Sequence, residues 1–180
     1  MERTHIYLIF SKTGTWLSKS ISFTTNSSYT HVALSLDDKF NKLHTFGRIQ
    51  PNKPFTGGFV VEDLFNGVYT RPGCKCLIYK IPIEETQLKL LKYHLMFYTQ
   101  STSKYKYNFL GLFAVLMGKS WKRADYYFCS QFVCELFHKC GIWTSPKAPE
   151  LTRPTDLLHI SEKEIIFEGL LQNYTTDLSI

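Results

Sequence analysis

The chain has no hydrophobic run long enough to span a bilayer as a helix. Its longest apolar segment, Phe109 to Met117, contains Gly111 and falls far short of the roughly 20 residues that cross a membrane. No integral membrane association is expected. The apolar stretch near the N-terminus, Ile6 to Phe10, is shorter than the core of an export signal and precedes no small-residue cleavage pattern, so a cytoplasmic location is expected. Glycines do not fall in the G-x-G-x-x-G or G-x-x-x-x-G-K-[ST] spacings that cradle phosphates, so no nucleotide cofactor is expected. Cys74 and Cys76, or Cys134 with His138 and Cys140, do not supply the paired C-x-x-C spacing of common zinc sites, and no metal is expected. Trp16, Trp121 and Trp143 lack the spacing of a stacking platform, so nucleic acid is not an expected partner.

What is present suits one folded unit spanning residues 1–180, with 44% hydrophobic and 16% aromatic residues against 20% charged. The 21 Lys and Arg against 15 Asp and Glu give a net charge of +6, with no run of five like charges. That mild surplus favours anionic partners such as cell-wall polymer, nucleic acid or a lipid surface, but a solvated positive surface is the simpler reading. Five cysteines is an odd number, and a reduced compartment makes free thiols the default.

Periodicity divides the chain into a strand-rich first half and a helix-rich second, an α+β pattern rather than alternating βαβ units. Ile6 to Phe10 reads as a buried strand. The polar stretch from Ser11 to Ser28 reads as a loop with a short helix around Trp16 to Ile21. Val32, Leu34 and Leu36 alternate with His31, Ala33 and Ser35, the period of a strand with one oily face. A turn at Asp37-Asp38 and a strand from Lys39 to Arg48 complete a hairpin. Further strands are expected at Phe59 to Leu64, at Cys74 to Ile81 ending at Pro82, and at Glu164 to Glu168. A helix follows Glu84-Glu85, with Leu88, Leu91, Leu95 and Tyr98 on one stripe; a largely buried helix covers Tyr107 to Met117, stopped by Gly118. A third helix opens at Cys129, carries Phe132, Val133, Leu136 and Phe137 on one stripe, and stops at Gly141.

The position of Cys129 is what singles it out among the cysteines. A thiol in the first turn of a helix faces unpaired backbone N–H groups and the positive end of the dipole, which favours thiolate. Cys134 is turned roughly 140° away at 100° per residue, and Cys140 lies at the negative end, so both read as packing residues. A thiolate nucleophile needs a base, and the base needs a group that orients it. If Asp37-Asp38 form a two-residue loop, Leu36 pairs with Lys39 and His31 falls opposite His44, with Cβ atoms about 5 Å apart. A longer turn would shift His44 along its strand.

With these residues in view, Ser28-Tyr29-Thr30-His31-Val32-Ala33-Leu34-Ser35-Leu36 and Lys42-Leu43-His44-Thr45-Phe46-Gly47 resemble the His strand and the third-residue strand of NlpC-type papain-like cysteine peptidases. Tyr127-Phe128-Cys129-Ser130-Gln131-Phe132-Val133 resembles the F-C-S-E-L-V nucleophile helix of the circularly permuted branch, the YiiX-like and YebB-like proteins, in which Cys follows His along the chain. The likeness covers residues 6–158, with the specificity in the two motif blocks. It implies a permuted papain-like fold: a small antiparallel sheet or partial barrel packed against a helical layer that carries the nucleophile. It also implies Cys129 as nucleophile, His31 as general base and His44 as the orienting residue, with the Cys129 N–H helping to hold an oxyanion. Many permuted relatives carry an acid in the third role and read Cys-Ser-Glu where this chain reads Cys129-Ser130-Gln131. Glu62, on the adjacent strand, is therefore the alternative third residue.

The implied activity is a cysteine hydrolase cleaving an amide bond in a small peptide, an isopeptide or a peptidoglycan-type fragment through an acyl-enzyme. Two other readings keep the same residues. An acyltransferase or thioesterase of the lecithin:retinol acyltransferase type shares the His, His, Cys order, and Phe109 to Met117 could line its acyl pocket; those relatives read Asn-Cys-Glu-His at the nucleophile. A non-catalytic module would use the cleft to bind an anionic ligand with Arg48, Arg71, Lys122 and Arg123. Oligomeric state is not legible.

Overall fold

The computed structural model describes residues 3–13, 28–49 and 56–174. Within them eight strands form one sheet: β1 (Arg3–Lys12), β2 (His31–Ser35), β3 (Leu43–Arg48), β4 (Gly57–Glu62), β5 (Lys75–Glu84), β6 (Lys106–Tyr107), β7 (Tyr126–Tyr127) and β8 (Glu164–Leu170). Three α-helices accompany them: α1 (Glu85–Gln100), α2 (Phe109–Leu116) and α3 (Cys129–Lys139). The short helix expected around Trp16 to Ile21 lies outside the described residues.

The sheet order is β7-β6-β4-β3-β2-β1-β5-β8, antiparallel throughout except for the parallel pair β6 and β7. The fold is therefore α+β, but the sheet is larger than the small antiparallel one expected, is mixed, and does not close into a barrel. β6 and β7 are two residues each, too short to leave a period in the sequence.

β1 lies inside the sheet and is covered on both faces, which is why Ile6 to Phe10 is apolar without alternation. Ile6, Leu8 and Phe10 join Val32, Leu34, Phe46 and Phe59 beneath the helices, where Leu91, Leu95, Phe132, Val133, Leu136 and Phe137 close the main core. Tyr7 and Ile9 face a second cluster with Ala33, Phe40, Leu64, Tyr69, Cys76 and Ile78. Cys74 and Cys76 belong to this second cluster, and Cys129, Cys134 and Cys140 to the first. Among the described residues no group of three His, Cys, Asp or Glu side chains is arranged to hold a metal ion.

β5 does not stop at Pro82. It continues to Glu84, with Pro82 opposite His5 of β1. On its other side the pairing with β8 reaches only Lys80, so Pro82 has no ladder partner there to disappoint with its missing N–H. α1 starts where expected, the Glu84 N–H donating to Gln87 Oε1 at 2.8 Å. α2 and α3 are followed by Gly118 and Gly141 in left-handed conformations, φ 70° and 63°. No helix among the described residues is long and apolar enough to cross a membrane.

α2 corrects one expectation. It is buried on one face only, through Leu112, Ala114 and Val115, while Leu110 and Phe113 are half exposed or more.

The aromatic cluster beneath the helices locks α3 to the sheet. The Phe132 ring stands 5.2 Å from Phe46, 5.7 Å from Phe59 and 5.1 Å from Tyr98, edge-on or tilted in each case. Phe132→Ala is expected to lower the unfolding free energy by about 3–5 kcal/mol in urea denaturation. Phe113→Ala, on the exposed face of α2, is expected to stay within about 0.5 kcal/mol of wild type. Equal losses would contradict this division between core and surface.

Candidate active site

β2 begins at His31, and the hairpin after it differs from the two-residue loop expected. The strands pair with Leu34 opposite His44, and β3 starts only at Leu43. The intervening turn is stitched by Ser35 Oγ donating to the Asp37 carbonyl at 2.7 Å and by the Lys39 N–H donating to Asp37 Oδ1 at 3.0 Å. The extra length carries Phe40, fully buried with φ 53°, down to an edge-on contact with Tyr7 at 5.2 Å. Burying that ring outweighs the shorter turn, and it changes the register by an odd number of residues. A shift of odd parity moves every side chain of β3 to the other face.

His44 consequently does not meet His31, and the pairing expected of them is corrected. The His44 ring stacks on Phe59 at 6.1 Å, on the helix side of the sheet. Burial, and then the Lys42 charge, hold its pKa below the ordinary value. Its Nδ1 is buried without a hydrogen-bond partner among the described residues. A neutral ring packed this way reads as core.

The same register brings a different set of groups to His31. Glu62, the last residue of β4, lies opposite Leu43 and places Oε2 3.4 Å from His31 Nε2. About a fifth of each side chain is exposed, 20% for His31 and 21% for Glu62. Thr45 Oγ1 is 3.5 Å from the same Nε2 and donates its own proton to the Val32 carbonyl at 2.8 Å, so it faces the ring as an acceptor. Tyr69 donates to Glu62 Oε2 at 2.7 Å from behind and is itself buried. Burial, followed by the carboxylate beside it, raises the Tyr69 phenol pKa, which keeps it a neutral donor.

A close approach of backbone makes room for this arrangement. A Cβ at Gly47 would stand 3.3 Å from Glu62 Oε1 and 3.9 Å from the His31 ring. A larger residue there would crowd the Glu62 carboxylate, while the His31 ring would remain at ordinary contact distance.

Cys129 completes the line from the opposite side. It opens α3, whose N-cap residue Phe128 is extended and offers no side-chain cap, with no acid in the first turn. The N–H groups of that turn are thus not claimed by a capping side chain. The turn is anchored by Ser130 Oγ donating to the Thr152 carbonyl at 2.8 Å, and by Thr152 Oγ1 donating to Cys134 Sγ at 3.4 Å. Cys129 is 4% exposed, and its thiol lies near enough to the His31 imidazole to raise the pKa of that ring.

The electrostatics follow from these contacts. Burial alone would lower the His31 pKa, but Cys129 and Glu62 beside the ring raise it to about 10. Burial likewise works against a charged Glu62, and the bonds from His31 and Tyr69 overcome it, leaving its pKa below the usual carboxylate value. The remaining cysteines lack such partners. Burial pushes the Cys74 and Cys140 thiols up to about 11, and raises Cys76 and Cys134 as well.

Of the residues expected at the site, Cys129, His31 and Glu62 come together and His44 does not. Thr45, Tyr69 and Gly47 were not anticipated. Thr45 and Gly47 sit inside the motif block around His44, but only the register shows which face they share with His31. Tyr69 lies in a loop without a pattern. No family model, no curated protein and no solved structure matches the chain.

A base whose folded pKa stands above its unfolded value binds its proton more tightly in the folded state. Its stabilisation is complete below about 6.5 and is lost as pH rises through about 10. The difference in unfolding free energy between wild type and His31→Gln, measured by urea denaturation, is therefore expected to be level below the lower value and to shrink toward the upper one. A difference that stays level across that window would contradict the placement of a proton on His31.

Proposed function

We propose that the protein is a cysteine hydrolase acting on an amide bond, with Cys129 as nucleophile, His31 as acid and base, and Glu62 as the group that orients His31. The observation that carries this reading is the line Tyr69, Glu62, His31, Cys129. Tyr69 hydrogen-bonds Glu62, Glu62 meets His31 Nε2 at 3.4 Å, and beside His31 stands the Cys129 sulfur at a helix N-terminus, near enough to raise the His31 pKa. A carboxylate held by a neutral phenol, holding in turn an imidazole that stands beside a thiol, is the arrangement nucleophilic catalysis requires.

The roles follow from the contacts. Glu62 takes Nε2, which leaves Nδ1 for the sulfur. His31 already holds the proton shared with Cys129, so the sulfur attacks the substrate carbonyl carbon as thiolate beside the imidazolium. The oxyanion that forms faces the uncapped N–H groups of the first turn of α3. His31 then gives its proton to the departing amine as the C–N bond breaks, leaving a thioester on Cys129. Water, deprotonated by His31, attacks the thioester and releases the acid and the free thiol.

The chain order His31, Glu62, Cys129 agrees with a circularly permuted NlpC-type papain-like domain, and the Cys129-Ser130-Gln131 helix resembles its nucleophile helix. We assign the fold to that branch on these grounds. The substrate class that suits it is a small peptide, an isopeptide or a peptidoglycan-type fragment.

Iodoacetamide at neutral pH is expected to alkylate Cys129 ahead of the four other cysteines, as read by peptide mass spectrometry. Cys129→Ala is expected to keep its fold and lose all hydrolysis of peptide and aminoacyl amides. Turnover by Cys129→Ala would sink the assignment. Glu62→Gln is expected to lower kcat by on the order of 10²–10⁴-fold, because the ring loses its orienting charge. His44→Gln, off the line, is expected to keep wild-type kcat within about threefold. The reverse ranking would restore His44 to the third role.

A further inference from the structure

α2 carries no polar side chain, its sequence being Phe-Leu-Gly-Leu-Phe-Ala-Val-Leu. A helix apolar all round belongs in an interior. Here one face is seated, through Leu112, Ala114 and Val115 and through Arg153 Nη2 donating to the Val115 carbonyl at 2.9 Å. The other face is bare. Leu110 is 50% exposed and Phe113 60%, and just beyond the helix Met117 is 68% and Trp121 52%.

The flanks supply the second observation. From Ser101 to Ala124 the sequence holds five basic residues, Lys104, Lys106, Lys119, Lys122 and Arg123, and no acid. They bracket the apolar helix on both sides. Lys106, Lys119 and Lys122 are exposed, and Arg123 lies over the Tyr126 ring at 3.7 Å. Of the neighbouring acids, Asp125 is engaged by Lys104 at 3.4 Å and Glu150 accepts from Ser120 Oγ at 3.1 Å.

We propose that this face is a contact surface for an anionic phospholipid bilayer. Leu110, Phe113 and Met117 enter the acyl boundary, Trp121 lies at the headgroup level, and Lys106, Lys119 and Lys122 meet lipid phosphates. Apolar tips with exposed cations flanking them along the chain suit an interface that is oily inside and negative at its rim. The helix is too short to cross, so the contact is peripheral. It does not depend on the chemistry assigned to Cys129, and Cys129→Ala is expected to bind vesicles as wild type does.

Co-sedimentation with vesicles of phosphatidylcholine alone, and of phosphatidylcholine mixed with phosphatidylglycerol, tests the proposal. The full chain is expected to bind the mixed vesicles, to prefer them over neutral ones by about tenfold or more, and to be released by salt. Phe113→Ser/Met117→Ser and, separately, Lys119→Glu/Lys122→Glu are each expected to weaken binding by about tenfold or more, with circular dichroism unchanged. The second variant leaves the apolar face intact, so it tests the charge alone. Failure to bind, equal binding to neutral vesicles, or undiminished binding by either folded variant would overturn the proposal. So would light scattering that shows a dimer for wild type and a monomer for Phe113→Ser/Met117→Ser, since a second copy would then cover the face.

Discussion

A half-hidden imidazole between a carboxylate and a thiol is the constraint on which the rest of this structure turns. Each group is costly to bury alone, and each is made tolerable by the next: Tyr69 and His31 hold the Glu62 charge, and Glu62 and Cys129 hold the His31 proton. The sheet exists locally to keep these donors and acceptors in line. β2 supplies the ring, β4 the carboxylate, and β3 between them supplies Thr45 as a further acceptor and Gly47 as empty space. Helix α3 brings the sulfur, and the aromatic cluster around Phe132 fixes where that helix stands.

Much of this was readable from residue order. The helix that begins at Cys129 announced itself by its apolar stripe and by Gly141, and burial of Phe132, Val133, Leu136 and Phe137 agrees with that pattern. α1 and the strands β1, β2 and β5 also followed from periodicity. The third member of the site did not. Two strands can be paired in either parity with little difference in local preference. The choice was made by Phe40, whose burial against Tyr7 lengthened the turn. An interaction between a turn residue and a distant strand leaves no trace in the period of either, so His44 looked as well placed as Glu62. Tyr69 was hidden for the same reason, as a loop residue given meaning only by the carboxylate it meets.

The reading of α2 failed in a more instructive way. An apolar run reports the preference of a segment to leave water, not what it leaves water for. Half of that preference is met inside the protein, by Leu112 and Val115, and half is unmet at Leu110 and Phe113. The cations, which looked like ordinary solvated surface when counted over the whole chain, take on meaning in the membrane proposal because they flank the exposed oily helix on both sides in sequence. The site and the ridge thus differ in kind. One is a set of polar groups that satisfy each other, and the other is a set of apolar groups left over.

The ring nitrogens of His31 report most directly on the central interaction. Nitrogen chemical shifts of selectively labelled histidine, followed across pH, distinguish imidazolium from neutral imidazole at each residue. With the thiol and the carboxylate beside it, His31 is expected to remain imidazolium up to about 10 and to drop toward the ordinary histidine value in Cys129→Ala. A His31 that titrates near 6.5 in the wild-type protein, unmoved by loss of Cys129, would mean that the ring and the sulfur do not share a proton.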